Sequence, residues 1–182
     1  MLKYPMPHTG SPSDHEWEML DLLDESATVI GQVRRSEVHG NPLLRHRAVH
    51  IIVTNPAGDL YLQKRAPEKI VQPGKWDTSC GGHIPAGESW EIGALRELEE
   101  ELGLKLDGPD ALKFCHEYWW ESGFETERVR TYLVTSEGPF TLDPNEISGG
   151  RFWSPAELRE SAGKGILTPN LEEELRRIKI LP

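Results

Sequence analysis

Residues 96–103 read RELEEELG, and three of the four glutamates, Glu97, Glu100 and Glu101, recur at helical i, i+3 and i+4 spacing. Like charges at that spacing weaken an isolated helix by about 0.2–0.5 kcal/mol per pair. Such a patch is either solvated or meets a cation, and for a charge run taken alone the solvated face is the commoner outcome. The chemistry open to it is that of a hard divalent ion. Mg2+ takes a few carboxylates together with waters and substrate phosphates. Glu97, Glu100 and Glu101 can converge on one ion, and a backbone carbonyl from Gly81 or Gly82, just upstream, can add an oxygen. A carboxylate with a spare oxygen can also take a proton from an attacking water. Arg96 can clamp a carboxylate through two parallel hydrogen bonds.

These residues need a helix and a turn to position them. SWEIGALRELEEELG (89–103) predicts the helix, with Ser89 as N-cap and Gly103 as the left-handed stop. At 100° per residue, Ala94, Leu98, Leu102, Leu95 and Ile92 form one apolar face, and the three glutamates fall opposite, with Gly93 among them. Gly93 costs about 1 kcal/mol against alanine in a helix, which suggests that its face is closely approached. The turn is the Gly- and Pro-rich stretch 66–88, with a short strand expected around Trp76–Cys80. Upstream, 16–38 reads as two short strands around a turn at DES. RHRAVHIIVT (45–54) and LYLQKR (60–65) flank the turn NPAGD as a β-hairpin. Downstream, 113–122 and 127–136 form a second strand pair turning near Gly123, and 148–154 is a short strand. Helices begin at Ser154-Pro155, with Glu157 completing a capping box, and at Thr168-Pro169. This order predicts a mixed sheet covered by helices, an α/β (α+β) domain over 15–182 preceded by a disordered leader, 1–14.

Composition limits the partners. The chain has 182 residues, enough for one domain with a proper core, and a formal net charge of −10. That charge argues against polymeric nucleic acid but leaves a small diphosphate open, because a bound cation reverses the local sign. No stretch approaches the ~20 apolar residues of a membrane span. The start, MLKYPMPHTGSPSD, lacks the apolar core of a signal peptide. A cytoplasmic location is the expectation. Cys80 and Cys115 form no C-x-x-C pair, so no cysteine zinc site is indicated. Trp76, Trp119 and Trp120 either line a pocket or pack in the core.

The run GHIPAGESWEIGALRELEEELGL (82–104) resembles the Nudix hydrolase signature at every specified position: Gly82, Glu88, Arg96, Glu97, Leu98, Glu100, Glu101, Gly103 and Leu104. The resemblance implies an α/β/α sandwich around a mixed β-sheet, Mg2+ or Mn2+ as cofactor, and attack of water on a diphosphate linkage. By position, Glu97, Glu100 and Glu101 resemble the metal-binding glutamates, Glu97 being the position most often tied to the base role. Arg96 resembles the orienting arginine, and Glu88 a structural or outer metal contact.

Residues 46–83 are similar, more narrowly, to the branch containing isopentenyl diphosphate isomerase. That enzyme uses a cysteine, a glutamate and a metal held by three histidines and two glutamates. His39, His46 and His83 match the histidines, and Glu125 and Glu127 the glutamates. The cysteine position is Gly81. Cys80 is its neighbour, and on a strand a shift of one residue turns the side chain to the other face. That departure, with the complete Nudix signature, favours hydrolysis. The leading expectation is a metal-dependent hydrolase with Arg96, Glu97 and Glu100 catalytic and Glu97, Glu100, Glu101 and Gly81 at the metal. Its substrate is a nucleoside diphosphate derivative or related small molecule, and Arg65, His46 and His83 are candidate substrate contacts. The alternatives are an isomerase and a non-catalytic nucleotide sensor. The N-terminal hairpin either packs in cis or mediates a homodimer.

Overall fold

A computed structural model describes residues 17–182, so the expected leader lies outside the described residues. β1 (Met19–Leu23) and β2 (Val29–Arg34) form an antiparallel hairpin. Asp24 closes its turn by accepting the Ser26 and Thr28 N–H groups at 2.8 and 2.9 Å. Arg35–Val38 is a one-turn helix, α1, and not the end of the second strand. The Glu37 carboxylate accepts the Arg34 N–H at 3.2 Å, a local cap that outcompetes strand extension.

The main domain then runs β3 (His46–Thr54), β4 (Leu60–Arg65), β5 (Trp76–Asp77), β6 (Cys80–His83) and α2 (Trp90–Leu102). It continues with β7 (Lys113–Glu121), β8 (Thr126–Thr135), β9 (Ile147–Trp153), α3 (Pro155–Ser161) and α4 (Pro169–Arg177). The sheet is mixed, since β3 and β8 pair in parallel and the other ladders are antiparallel. The expected β3–β4 hairpin forms only at its base. The strands pair at Val53↔Tyr61 and Thr54↔Leu60, then part. Beyond the fork β6 takes the edge of β3, while β4 pairs with β5 and β9. Ser79 fills the fork: its hydroxyl accepts the Val53 N–H at 2.7 Å and donates to the Tyr61 carbonyl. Thr78 and Ser79 carry the chain from one half-sheet to the other, which divides the expected strand at Trp76–Cys80 into β5 and β6.

Both faces of the sheet are covered. Val49, Ile51 and Val53 of β3 pack with Ala94, Leu98 and Leu102 of α2. On the other face Ile52, Leu60 and Leu62 meet Leu158 of α3 and Leu171 and Leu175 of α4. Leu98 is fully buried, and truncating such a leucine to alanine costs about 2–5 kcal/mol. The architecture is the expected α/β/α sandwich with the hairpin appended. No described helix is long and apolar enough to cross a membrane.

α2 has the expected ends. Ser89 accepts the Ile92 N–H, and Gly103 is left-handed at φ 63° with its N–H returned to the Glu99 carbonyl. Its faces differ from expectation. The buried residues are Gly93, Ala94, Glu97, Leu98, Glu101 and Leu102, whereas Ile92 is 51% exposed. Glu97 and Glu101 therefore flank the leucines, and Glu99 and Glu100 turn outward. The cause is tertiary: β6 crosses beside the helix and covers that flank. Gly93 admits the Ile84 side chain, which would collide with any Cβ there.

Candidate functional site

The site begins with the alternation of the β3–β6 ladder. The Ile84 N–H bonds the Arg47 carbonyl, so the hydrogen-bonded pairs that follow are Val49 with Gly82 and Ile51 with Cys80. Gly81 thus turns its N–H and carbonyl away from β3, toward α2. Its N–H donates to Glu101 Oε2 at 3.3 Å, and Gln63 Nε2 donates to the same oxygen at 3.3 Å. Of the two glycine carbonyls suggested for a metal, the one on Gly81 is available and the one on Gly82 is engaged in the ladder. Gly82 serves differently. A Cβ there would stand 2.5 Å from Glu97 Cδ and 2.7 Å from its Oε2, so the missing side chain is the space that the carboxylate occupies.

Arg96 organises this corner. Its Nε and one terminal nitrogen grip Glu88 at 3.3 and 3.1 Å, and the other terminal nitrogen reaches Glu97 at 2.6 Å and Glu100 at 3.2 Å. It also donates to the His83 carbonyl at 3.2 Å. The two-point clamp falls on Glu88, and Glu97 and Glu100 receive single bonds. Burial raises the Glu97 carboxyl despite Arg96. Burial and the Glu97 charge push Glu101 well above the usual carboxylate range. Glu100 remains 58% exposed. Two buried carboxylates with raised proton affinity, a third at the rim and a free carbonyl suit a hard divalent cation.

A second cluster lies on the opposite face of β3. Parallel register sets His46 beside Glu127, and His83 pairs opposite Ala48 one row further on. Ligand atoms of His46, His83, Glu125 and Glu127 lie within 4.8 Å of one another. His39 Nε2 stands 4.0 Å from Glu125, and its ring lies 5.4 Å from that of His83. The His46 Nδ1 pairs with the Leu44 carbonyl at 3.0 Å, which assigns the ring proton to that nitrogen. Its Nε2 is buried without a hydrogen-bond partner, 3.7 Å from a Glu127 oxygen. Imidazole together with carboxylate suits a transition metal. Burial lowers His83 to about 3, leaving it neutral. Burial raises Glu125 to about 8. Burial opposes the charge of Glu127 as well, but its histidine contacts outweigh that and hold it well below the usual range.

Both clusters open on one cavity of about 1660 Å3. Eleven carboxylates and four lysine or arginine side chains line it, so an anionic ligand meets a repulsive field unless cations enter with it. Arg65 lines the cavity with its guanidinium held by the Val71 carbonyl and Asp77. Trp120 lines it beside Glu127, whereas Trp76 packs on Trp153 and Trp119 on Arg128. Cys80 is fully buried in the α2-side core, and burial pushes its thiol well up. Sequence reasoning missed Gln63, Lys69, His50, Glu146 and Glu174. None carried a clear signal: Gln63 stands beside Lys64 and Arg65 in LYLQKR, yet it is buried.

A mixed sheet between helices, with a glycine turn feeding carboxylates from one helix into a forked cleft, makes a candidate divalent-cation site. The NUDIX domain model matches residues 44–175, and the chain belongs to the Nudix family. A Nudix hydrolase of Nostoc sp. is 44% identical over 81% of this chain and 87% of its own length. An isopentenyl-diphosphate Delta-isomerase of Streptomyces coelicolor is 32% identical over 85% of this chain and 82% of its own. Relatives of both kinds set the chain on the isomerase-like branch. Among solved structures, the DR0079 protein of Deinococcus radiodurans superposes with a TM-score of 0.72 at 30% identity, covering 88% of this chain and 98% of that one.

Proposed function

We propose that the chain is a divalent-metal-dependent pyrophosphohydrolase that cleaves a diphosphate linkage in a nucleoside diphosphate derivative or related small molecule. The observation that carries this reading is the pair Glu97 and Glu101, buried side by side against Gly81 and Gly82. Glu97, Glu100, Glu101 and the Gly81 carbonyl would hold Mg2+ or Mn2+. When bound, the cation polarises a phosphoryl oxygen and lowers the pKa of water. Glu97, already raised by burial, takes the proton of the attacking water. Arg96 orients Glu97 and Glu100 through one nitrogen while Glu88 anchors its other edge. Free thiols at Cys80 and Cys115 accord with a reducing cytoplasm.

The His46–His83–Glu125–Glu127 cluster supports a second reading, isomerisation of isopentenyl diphosphate. Gly81 stands against it, since it leaves no thiol on the cavity side, and Cys80 faces the core. One panel separates the readings: nucleoside di- and triphosphates, nucleotide sugars, dinucleotides and prenyl diphosphates, each with Mg2+ or Mn2+. Phosphate or pyrophosphate release that EDTA abolishes is the expected result. Conversion of isopentenyl to dimethylallyl diphosphate without release would replace the hydrolase reading. Binding without turnover across the panel would establish a nucleotide sensor.

A further inference from the structure

His50 has a carboxylate on one edge of its ring and the cavity on the other. It lies in a row crossing four strands, in which Gly81 of β6, His50 of β3, Thr131 of β8 and His116 of β7 are successive register partners. Glu174 of α4, fully buried, descends on this row. Its Oε1 accepts the Thr131 hydroxyl at 2.6 Å and lies 3.1 Å from His50 Nδ1 and 4.0 Å from His116 Nε2. No lysine or arginine among the described residues forms an ion pair with it. A buried carboxylate must be compensated, and His50 is the nearer imidazole. The Nδ1–H is not aligned for a full hydrogen bond, so the contact is chiefly Coulombic.

The other edge of the ring meets β6. A Cβ on residue 81 would stand 2.7 Å from His50 Cδ2, so glycine there admits the imidazole just as Gly82 admits Glu97. His50 lines the cavity with Gly81, Gln63 and Asp77. Its Nδ1 is buried, whereas its Nε2 is not sealed from solvent and makes no hydrogen bond with the described residues. The lysine and arginine side chains of the cavity are already committed: Arg35 to Glu18, Arg65 to Asp77, Lys69 to Glu146, and Arg96 to its three glutamates. Asp77 does not compete for His50, since Arg65 and the Thr168 hydroxyl occupy its oxygens.

We propose that His50 is a phosphate-binding residue, its Nε2–H donating to a non-bridging oxygen of a diphosphate that reaches across Gly81 from the Glu97–Glu101 centre, with Glu174 holding the ring in place. This rests on the diphosphate reading of the site. Methylenediphosphonate, which has no P–O–P bond to cleave, is the probe. Calorimetric titration in Mg2+ compares wild type, His50→Gln and the double variant His50→Gln/Glu174→Gln, which leaves no buried charge unpaired. Binding weakened by about 10- to 100-fold in both variants is expected. In 15N-edited spectra of wild type, the His50 Nε2 resonance moves with added probe and the His116 ring does not. A wild-type affinity in the folded double variant overturns the proposal, as does a His50 ring unmoved at saturation or a wild type that fails to bind the probe. Should a variant not fold, the wild-type ring signals decide. A chain that binds the probe through His50 but cleaves no diphosphate fails the hydrolase reading alone. One that cleaves diphosphate with an unchanged KM in His50→Gln fails this proposal alone.

Discussion

Replacing Gly82 with alanine separates the site from the fold. No left-handed backbone is required at this position, so the main chain accepts alanine. The new Cβ would stand 2.5 Å from Glu97 Cδ, and ordinary van der Waals contact begins at 3.4 Å. The carboxylate must therefore move by about 1 Å, and being the end of a flexible side chain it can do so by rotation. Stability should change by no more than about 1 kcal/mol. Activity should fall much further, because a displacement of about 1 Å at a reacting group can cost on the order of 100-fold. Gly150→Ala is the contrasting variant. Its Cβ would strike the rigid Tyr61 ring, 2.5 Å from Cζ, and should lower the melting temperature markedly. Thermal melts and metal-dependent phosphate release on both variants make the comparison. A folded Gly82→Ala enzyme with wild-type turnover would refute the placement of Glu97 at the reaction centre.

Other outcomes follow from the same geometry. Glu100→Gln should reduce turnover by orders of magnitude with an unchanged melt, since its side chain is 58% exposed. Glu99→Gln, which loses only the exposed pair with Lys105, should be near wild type in both assays; equal losses in the two variants would dissolve the assignment. For pH, His50 sits near 9 when folded against about 6.5 unfolded. Because the folded value is raised, the pair's contribution is full below about pH 6.5 and is lost as pH rises through about 9, at most about 3 kcal/mol. Urea midpoints taken in EDTA should decline over that interval more steeply in wild type than in Glu174→Gln, in which Glu125, raised to about 8, still contributes a decline. Equal slopes in the two proteins would contradict the His50–Glu174 pair.

What could be read from the sequence was local. Ser89, Gly103, Ser154 and Thr168 mark helix ends through bonds spanning a few residues, and each cap forms in the structure. The glutamate spacing, joined to Gly82 and Glu88, marks the helix that carries the candidate site. What could not be read depends on partners distant in sequence. Periodicity assigned Glu97 and Glu101 to an outer face because it contains no β6 to cover them. The turn within 45–65 predicts that its two strands pair, and they do so at two positions only, because β6 and β9 compete for the same strand edges. His50 and Glu174 are joined by register and helix docking, and no spacing along the chain announces that meeting.

The Ser79 hydroxyl that bridges Val53 and Tyr61 replaces a peptide rung with a side chain at the point where the sheet divides. One jaw of the resulting vice, β6 with α2, carries the glutamates. The other, β4 with β5 and β9, carries Gln63, Arg65 and Asp77. A lineage built on this plan can change the girth of what it grips by altering the second jaw, or the single hydroxyl at the hinge, while the first jaw keeps its chemistry.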